Sequence, residues 1–232
     1  MPAGPRISII IPVLNESDSI NGLISHLLSL DNSKQTETIV VDGDQDGGTL
    51  KAIMDMEVIK IKSPQGRGRQ MNVGAEAARG QLLLFLHADT ELPRNAFTLI
   101  QSVMEEPRFA AGAFDLGIRS ERLVFSIIES ISSMRSRITR IPFGDQAIFV
   151  RKNYFDTIGG YKYIPIMEDV EIMQRIKKRG DKIFIIRQKV STSARRWEQE
   201  GIFFCTFRNW LLQLLYFLGV SPDKLTKFYR HI

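Results

Sequence analysis

A chain of 232 residues is long enough to bury a sizeable core, and one large domain is expected rather than two. Its 44% hydrophobic and 25% charged content is that of an ordinary globular protein, while the net charge of +5 suits anionic partners without selecting among them. Cys205 is the single cysteine, so an intrachain disulfide is excluded and a reducing compartment is expected. The leading MPAGPR runs straight into an apolar segment and lacks the core of a signal peptide, which predicts a cytoplasmic location.

In chain order, Ile7–Ile11 is a short β-branched run, closed by Pro12 and followed by Asn15, Glu16 and Ser17. Ile20, Leu23, Ile24, Leu27 and Leu28 then recur at helical spacing behind a polar NESDS cap. Glu37–Val41 reads as a second strand ending in the acidic, glycine-rich turn 42–48, and Val58–Ile61 as a third. Gln70–Ala78 has helix-forming composition up to Gly80. Leu82–Leu86 is five apolar residues without alternation, which predicts a strand buried on both faces of a parallel sheet. It breaks into His87-Ala88-Asp89-Thr90. Alternating strands and helices of this kind predict right-handed βαβ units. Ligands of such sheets bind beyond the carboxyl ends of the strands, where Asp42, Asp46 and Asp89 fall. Taken alone, Asp89 could equally cap the helix after Pro93.

The second half is less regular. A helix is expected over Asn95–Met104, an extended segment over Ala110–Arg119, and a long serine-rich amphipathic helix over Leu123–Ile138. Gln146–Arg151 reads as a strand and Tyr154–Ile158 as a short helix stopped by Gly159-Gly160. A helix over Ile166–Arg179 carries Glu168 and Asp169 at its amino end, where the dipole alone favours carboxylates, and Ile183–Ile186 is a short strand. Ile202–Val220 is about long enough to span a bilayer, but Arg208, Asn209 and Gln213 lie within it. It is expected to lie on the domain, on a partner subunit or on a membrane surface.

The 66–71 segment, GRGRQM, begins like a dinucleotide fingerprint, but Met71 stands at the third glycine position and the loop follows the third strand. Its glycines instead set Arg67 and Arg69 at a helix start, suited to a phosphate or a neighbouring carboxylate.

Five segments stand in a particular order: PVLNE after the first strand, Asp42 after the second, the 66–74 loop and helix, HAD after the fourth, and GGY eight residues before Glu168-Asp169. Together they resemble the family 2 glycosyltransferases of the GT-A fold, over about residues 7–200. The finer pattern FLHADT, FGDQAIFV, MEDVEI and TSARRW resembles the subgroup associated with radical-SAM/selenoprotein loci and assigned to arsenosugar biosynthesis. Two departures stand out. His87 replaces the first carboxylate of the family's D-x-D motif, and Ser193 replaces the Gln of the Q-x-x-R-W motif of processive synthases.

The resemblance implies an α/β fold with a mostly parallel central sheet flanked by helices, a GT-A domain over 1–200 and a helical segment over 201–232. It implies an inverting, non-processive transfer of a sugar from a UDP- or GDP-type donor to an acceptor hydroxyl. Asp169 would be the general base, with Glu168 beside it. Pro12, Asn15, Glu16, Asp42, Arg67, Asn72, Ala88 and Asp89 would bind the nucleotide sugar. Asp89, with His87, would hold Mn²⁺ or Mg²⁺. Arg196 and Trp197 would meet the acceptor or the diphosphate. Nucleic acid is not an expected partner, because the basic residues are not interleaved with aromatic platforms. Through 202–220 a homodimer or a peripheral contact at the inner face of the membrane is expected. The alternative from another class is a non-catalytic nucleotide-sugar-binding or scaffold protein that keeps the fold.

Overall fold

The fold was read from a computed structural model, which describes residues 5–228; the outermost residues of the two expected segments, 1–4 and 229–232, lie outside the described residues. The first half alternates regularly: β1 (Ile7–Val13), α1 (Ile20–Ser29), β2 (Thr36–Asp42), α2 (Gly48–Ala52), β3 (Ile59–Lys62), α3 (Arg67–Ala77) and β4 (Leu82–Phe85). The second half runs β5 (Thr90–Glu91), α4 (Ala96–Glu105), β6 (Phe109–Asp115), β7 (Ile118–Arg119), α5 (Leu123–Thr139), β8 (Ile148–Arg151), α6 (Lys152–Thr157) and α7 (Glu168–Lys178). It closes with β9 (Lys182–Lys189), β10 (Ser191–Ser193), α8 (Arg195–Glu200), α9 (Ile202–Phe217) and α10 (Pro222–Leu225).

Seven strands form one sheet in the order β3-β2-β1-β4-β8-β6-β9. All neighbours are parallel except β8, which runs antiparallel to both β4 and β6. The chain winds outward from β1 through β2 to β3, then returns to place β4 on the other side of β1. That reversal makes the crevice beyond the carboxyl ends of β1 and β4 the natural ligand site. A second sheet, β5-β10-β7, stands beside the crevice.

The core lies on both faces of the large sheet. Ile7, Ile9, Leu84 and Phe97 pack on one face, and Ile10, Val41, Phe85, Met173 and Ile176 on the other. All four residues of β4 are buried, as its unalternating sequence predicts. The helix after Pro93 starts behind Asn95, so Asp89 is not its cap. Within α9, Leu212 joins Leu225 and Ile166 in a small cluster, so one face of the C-terminal segment packs on the domain. The helix spans Ile202–Phe217, and among the described residues no helix is long and apolar enough to cross a membrane.

Candidate active site

One side of the crevice is built at the ends of β1, β2 and β4. Asp42 closes β2, is fully buried, and accepts the Asp44 N–H at 2.9 Å with Oδ1. Its Oδ2 has no hydrogen-bond partner among the described residues. A buried carboxylate oxygen left in that state is costly, and a ligand N–H or hydroxyl would relieve it. Gln70 on α3 ties β1 to β2 by donating from Nε2 to the carbonyls of Val13 and Val41, both at 2.8 Å. Asn15 takes a left-handed backbone (φ 57°), and Glu16 receives the Ser19 hydroxyl at 2.6 Å and lies 3.5 Å from Arg195. Pro12 is half-buried at the end of β1, and Ala88 packs on the core. A cavity of about 220 Å³ opens between Glu16, Ser19, Ala88, Asp89, Thr90 and Arg195.

Asp89 is half-buried on the rim, and its carboxylate accepts a long contact from the Thr90 hydroxyl, 3.3 Å. Its backbone carbonyl is better held, by Arg119 Nη2 at 2.9 Å and the Ser193 N–H at 3.1 Å. Burial, and then the charge of Arg67, push His87 down to about 4, with Asp89 and Asp169 opposing. The imidazole is therefore neutral at pH 7. No group of three or more His, Cys, Asp or Glu side chains among the described residues is arranged to hold a metal ion. One carboxylate with open oxygens beside a neutral imidazole nevertheless fits a divalent cation held chiefly by a ligand's phosphates.

The opposite wall comes from the second half and is assembled by long-range hydrogen bonds. The turn 143–146 precedes β8 and is locked by Gln146. Its Oε1 accepts from the Phe143 N–H at 3.1 Å and the Ser136 hydroxyl at 2.7 Å, and its Nε2 donates to the Phe114 carbonyl at 2.8 Å. The turn aims the Gly144 N–H at Asp169 Oδ2, 2.6 Å away, while Asp169 Oδ1 accepts the Val170 N–H at 2.7 Å. Both oxygens of Asp169 are thus oriented, and each keeps a lone pair for another proton. Gly144 is required here: a Cβ would lie 2.7 Å from His87 Nε2 and 3.4 Å from Asp169 Oδ2. The imidazole and the carboxylate therefore converge on one point.

GGY acts as a hinge pin for the same wall. Gly159 and Gly160 adopt positive φ, and Tyr161 drops edge-on against Phe85 of β4 at 4.9 Å and against Phe155 at 5.6 Å. Asn72 clamps the loop with both ends of its amide, donating to the Tyr161 carbonyl at 2.8 Å and accepting its N–H at 2.9 Å. Glu168 follows on α7, 3.6 Å from Arg67; burial raises it to about 7, with Arg67 opposing and Asp169 adding to the rise.

The expected residues are therefore sorted by the fold. His87, Asp89, Asp169, Glu168, Arg67 and Arg196 share one electrostatic field, since Arg67, Arg196, Asp89 and Asp169 all act on His87. Two of the expected residues also serve the fold. Asn72 donates to and accepts from the Tyr161 backbone. Trp197 packs edge-on against Phe125, with ring centroids 6.0 Å apart, in a cluster between α5 and α8.

The sequence reading missed Asp145. This carboxylate is raised to about 6, by burial first and then by Asp169, against the pull of Arg135, and its Oδ1 has no hydrogen-bond partner among the described residues. Asp89 and Arg196 also act on it, so it faces the same crevice. Its signal was present in FGDQAIFV, where a polar GDQ turn interrupts an apolar approach to a strand.

The sheet order and the carboxylates at its strand ends define a GT-A-type nucleotide-diphospho-sugar transferase fold. Two solved structures share it at a TM-score of 0.63: the mannosyltransferase PcManGT from Pyrobaculum calidifontis in complex with GDP-Man and Mn²⁺, and TarS 1–349 of Staphylococcus aureus in complex with UDP. The first is 17% identical and the match covers 83% of this chain and 57% of that one; the second is 16% identical, covering 81% and 60%. A sequence profile described as glycosyl transferase family 2 matches residues 8–165, and the chain belongs to that family. Among curated relatives, the poly-β-1,6-N-acetyl-D-glucosamine synthase of Staphylococcus aureus is 23% identical over 193 residues, 76% of this chain and 47% of the relative. The Staphylococcus epidermidis synthase is 24% identical over 131 residues, 54% and 32%. The chain spans about half the length, or less, of these relatives.

Proposed function

We propose that this protein transfers one sugar at a time, with inversion, from a nucleoside diphosphate donor to an acceptor hydroxyl. The observation that carries this reading is the placement of Asp169. Two backbone N–H groups hold it on one wall of the crevice, facing His87, while Asp89 stands on the rim and Asp42 is buried at the end of β2. In the step, the acceptor O–H proton passes to Asp169, the acceptor oxygen bonds to the anomeric carbon, and the bond from that carbon to the diphosphate oxygen breaks. Attack from the base's side, opposite the leaving group, inverts the centre. Asp42, with Pro12, Asn15 and Glu16, receives the nucleoside, and Arg67 and Arg196 offset the charge that grows on the diphosphate. A Mn²⁺ or Mg²⁺ held by Asp89 with His87 would supply Lewis-acid stabilisation of that leaving group.

Single transfer is supported by Ser193, which stands at the Gln position of Q-x-x-R-W and accepts the Arg195 N–H at 3.2 Å, and by Trp197, whose ring is committed to Phe125. The segments FLHADT, FGDQAIFV, MEDVEI and TSARRW support membership of the arsenosugar-associated subgroup, so acceptors of that class head the panel. The test is a thermal-shift and transfer panel of UDP- and GDP-sugars with and without Mn²⁺. Stabilisation by one donor class and release of its nucleoside diphosphate on adding acceptor are expected. Binding with no turnover on any acceptor would instead favour a non-catalytic nucleotide-sugar-binding protein.

A further inference from the structure

Two helices of the second half bury polar and charged groups beside apolar ones and carry an apolar stripe on their outer face. On α5 the buried side carries Glu129, Ser132, Ser133 and Ser136 beside Phe125 and Ile128, while Leu123, Ile127, Ile131, Met134 and Ile138 point to solvent. Those outward residues recur at steps of four or three, one continuous stripe of a helix. On α9 the buried side includes Arg208 and Gln213, and Arg208 is paired with Glu200; outward lie Phe203, Phe207, Trp210, Leu211, Leu214 and Leu218. A helix serving only its own core would turn these faces the other way. The buried sides of the two helices meet in one small cluster, Phe125 and Ile128 with Ala194, Trp197 and Ile202, so the two stripes belong to one lobe.

Charge says what covers them. From Arg122 to Gly144 the one carboxylate is Glu129, which is buried and engaged by Lys189 and the Ile118 N–H. From Gly201 to Pro222 there is none. Arg122 and Arg140 are exposed at the two ends of α5, with Lys177 bonded to the Thr139 carbonyl, and Lys224 and Lys227 are exposed just past α9. Glu121, Glu198 and Asp223 are the exposed carboxylates at these ends, fewer than the cations around them. An isologous dimer would press this cationic rim against its own copy. An anionic lipid surface attracts it and also accepts aromatic side chains at headgroup depth.

We propose that the α5–α9 face docks on an anionic phospholipid membrane, lying on it rather than crossing it. The contact would hold the crevice beside the bilayer, because α8 carries Arg195 and Arg196 on the crevice side and leads directly into α9.

The test is flotation of the full chain with mixed phosphatidylglycerol/phosphatidylcholine vesicles and with phosphatidylcholine vesicles alone. Binding to the mixed vesicles should exceed binding to the neutral ones by about tenfold and fall with added salt. Phe203→Ser with Phe207→Ser, and separately Arg122→Glu with Arg140→Glu, should each reduce it by about tenfold while donor-induced thermal shifts persist as proof of folding. Absence of vesicle binding, or equal binding to both compositions, would overturn the proposal. So would a concentration-dependent dimer by light scattering that the same phenylalanine substitutions dissociate without any vesicle binding.

Discussion

Glu37, buried at the amino end of the central sheet, and the carboxylates of the crevice at its carboxyl end are held in opposite ways. At the amino end, Glu37 accepts the Ser8 hydroxyl at 2.6 Å, the Arg79 N–H at 2.6 Å, Arg79 Nε at 2.8 Å and the Gly80 N–H at 3.2 Å. Burial alone would raise its pKa, but those bonds and the Arg79 charge hold it below the ordinary value. At the carboxyl end, Asp42 and Asp145 each keep an oxygen with no partner among the described residues, and Asp145 and Glu168 are raised to about 6 and about 7. Glu37 is committed to the fold, as Asp115 is through Arg137 at the other end. Asp42 and Asp145 instead hold an oxygen in reserve, at a cost to stability that makes sense if a ligand repays it.

Breaking the satisfied end should cost the most stability. Glu37→Ala leaves the Ser8 hydroxyl and the Arg79 N–H without their acceptor, while the Gly80 N–H keeps Ser8 Oγ at 2.8 Å, and should lower unfolding free energy by about 3 kcal/mol. Chemical denaturation measures it, and donor affinity in the surviving folded fraction should not change. Asp89→Ala should do the reverse. Donor affinity measured with Mn²⁺ should fall by about 100-fold, while the denaturation midpoint moves by no more than about 0.5 kcal/mol in equivalent free energy.

The contrast also explains what the sequence made readable. Leu82–Leu86 and Ile7–Ile11 announce buried strands because a strand covered on both faces has no polar side to show, and Asp42 and Asp89 follow such strands directly. The opposite wall is made by contacts distant in sequence. Gln146 to Phe114, Asn72 to Tyr161 and Gly144 to Asp169 leave no local period to detect, so Gln146 reads as the start of a strand and Asp145, just before it, draws no attention. The reversed direction of β8 was equally hidden, since IFVR has the same pattern read parallel or antiparallel. On α5 the serine-rich pattern was visible, but only packing shows that Ser132, Ser133 and Ser136 turn inward.

A smaller effect sharpens the comparison further. Asp145 has its folded pKa raised to about 6 from an ordinary 3.8, so the folded state favours the protonated form. Its ionisation penalises the fold fully above pH 6, and the penalty fades as pH falls towards 4. Asp145→Asn should therefore raise stability by about 1–2 kcal/mol at pH 8, with the gain shrinking towards pH 4. Thermal unfolding across that range measures it. The same substitution should slow transfer, since a raised carboxylate that shares the field of Asp169 and Asp89 is suited to serve the reaction. A gain independent of pH would show that Asp145 is not held against its own ionisation.

The division between a donor wall and a base wall is tested most directly by Asp169→Asn, with binding and turnover measured on the same preparation. The substitution keeps the side chain's size and an oxygen for one of the two N–H groups. Calorimetry with donor and Mn²⁺ should give a Kd within about twofold of the native protein, while the transfer rate falls by about 10²–10⁴. Transfer near the native rate, or a loss of donor affinity as large as the loss of rate, would contradict the assignment of Asp169 as the base.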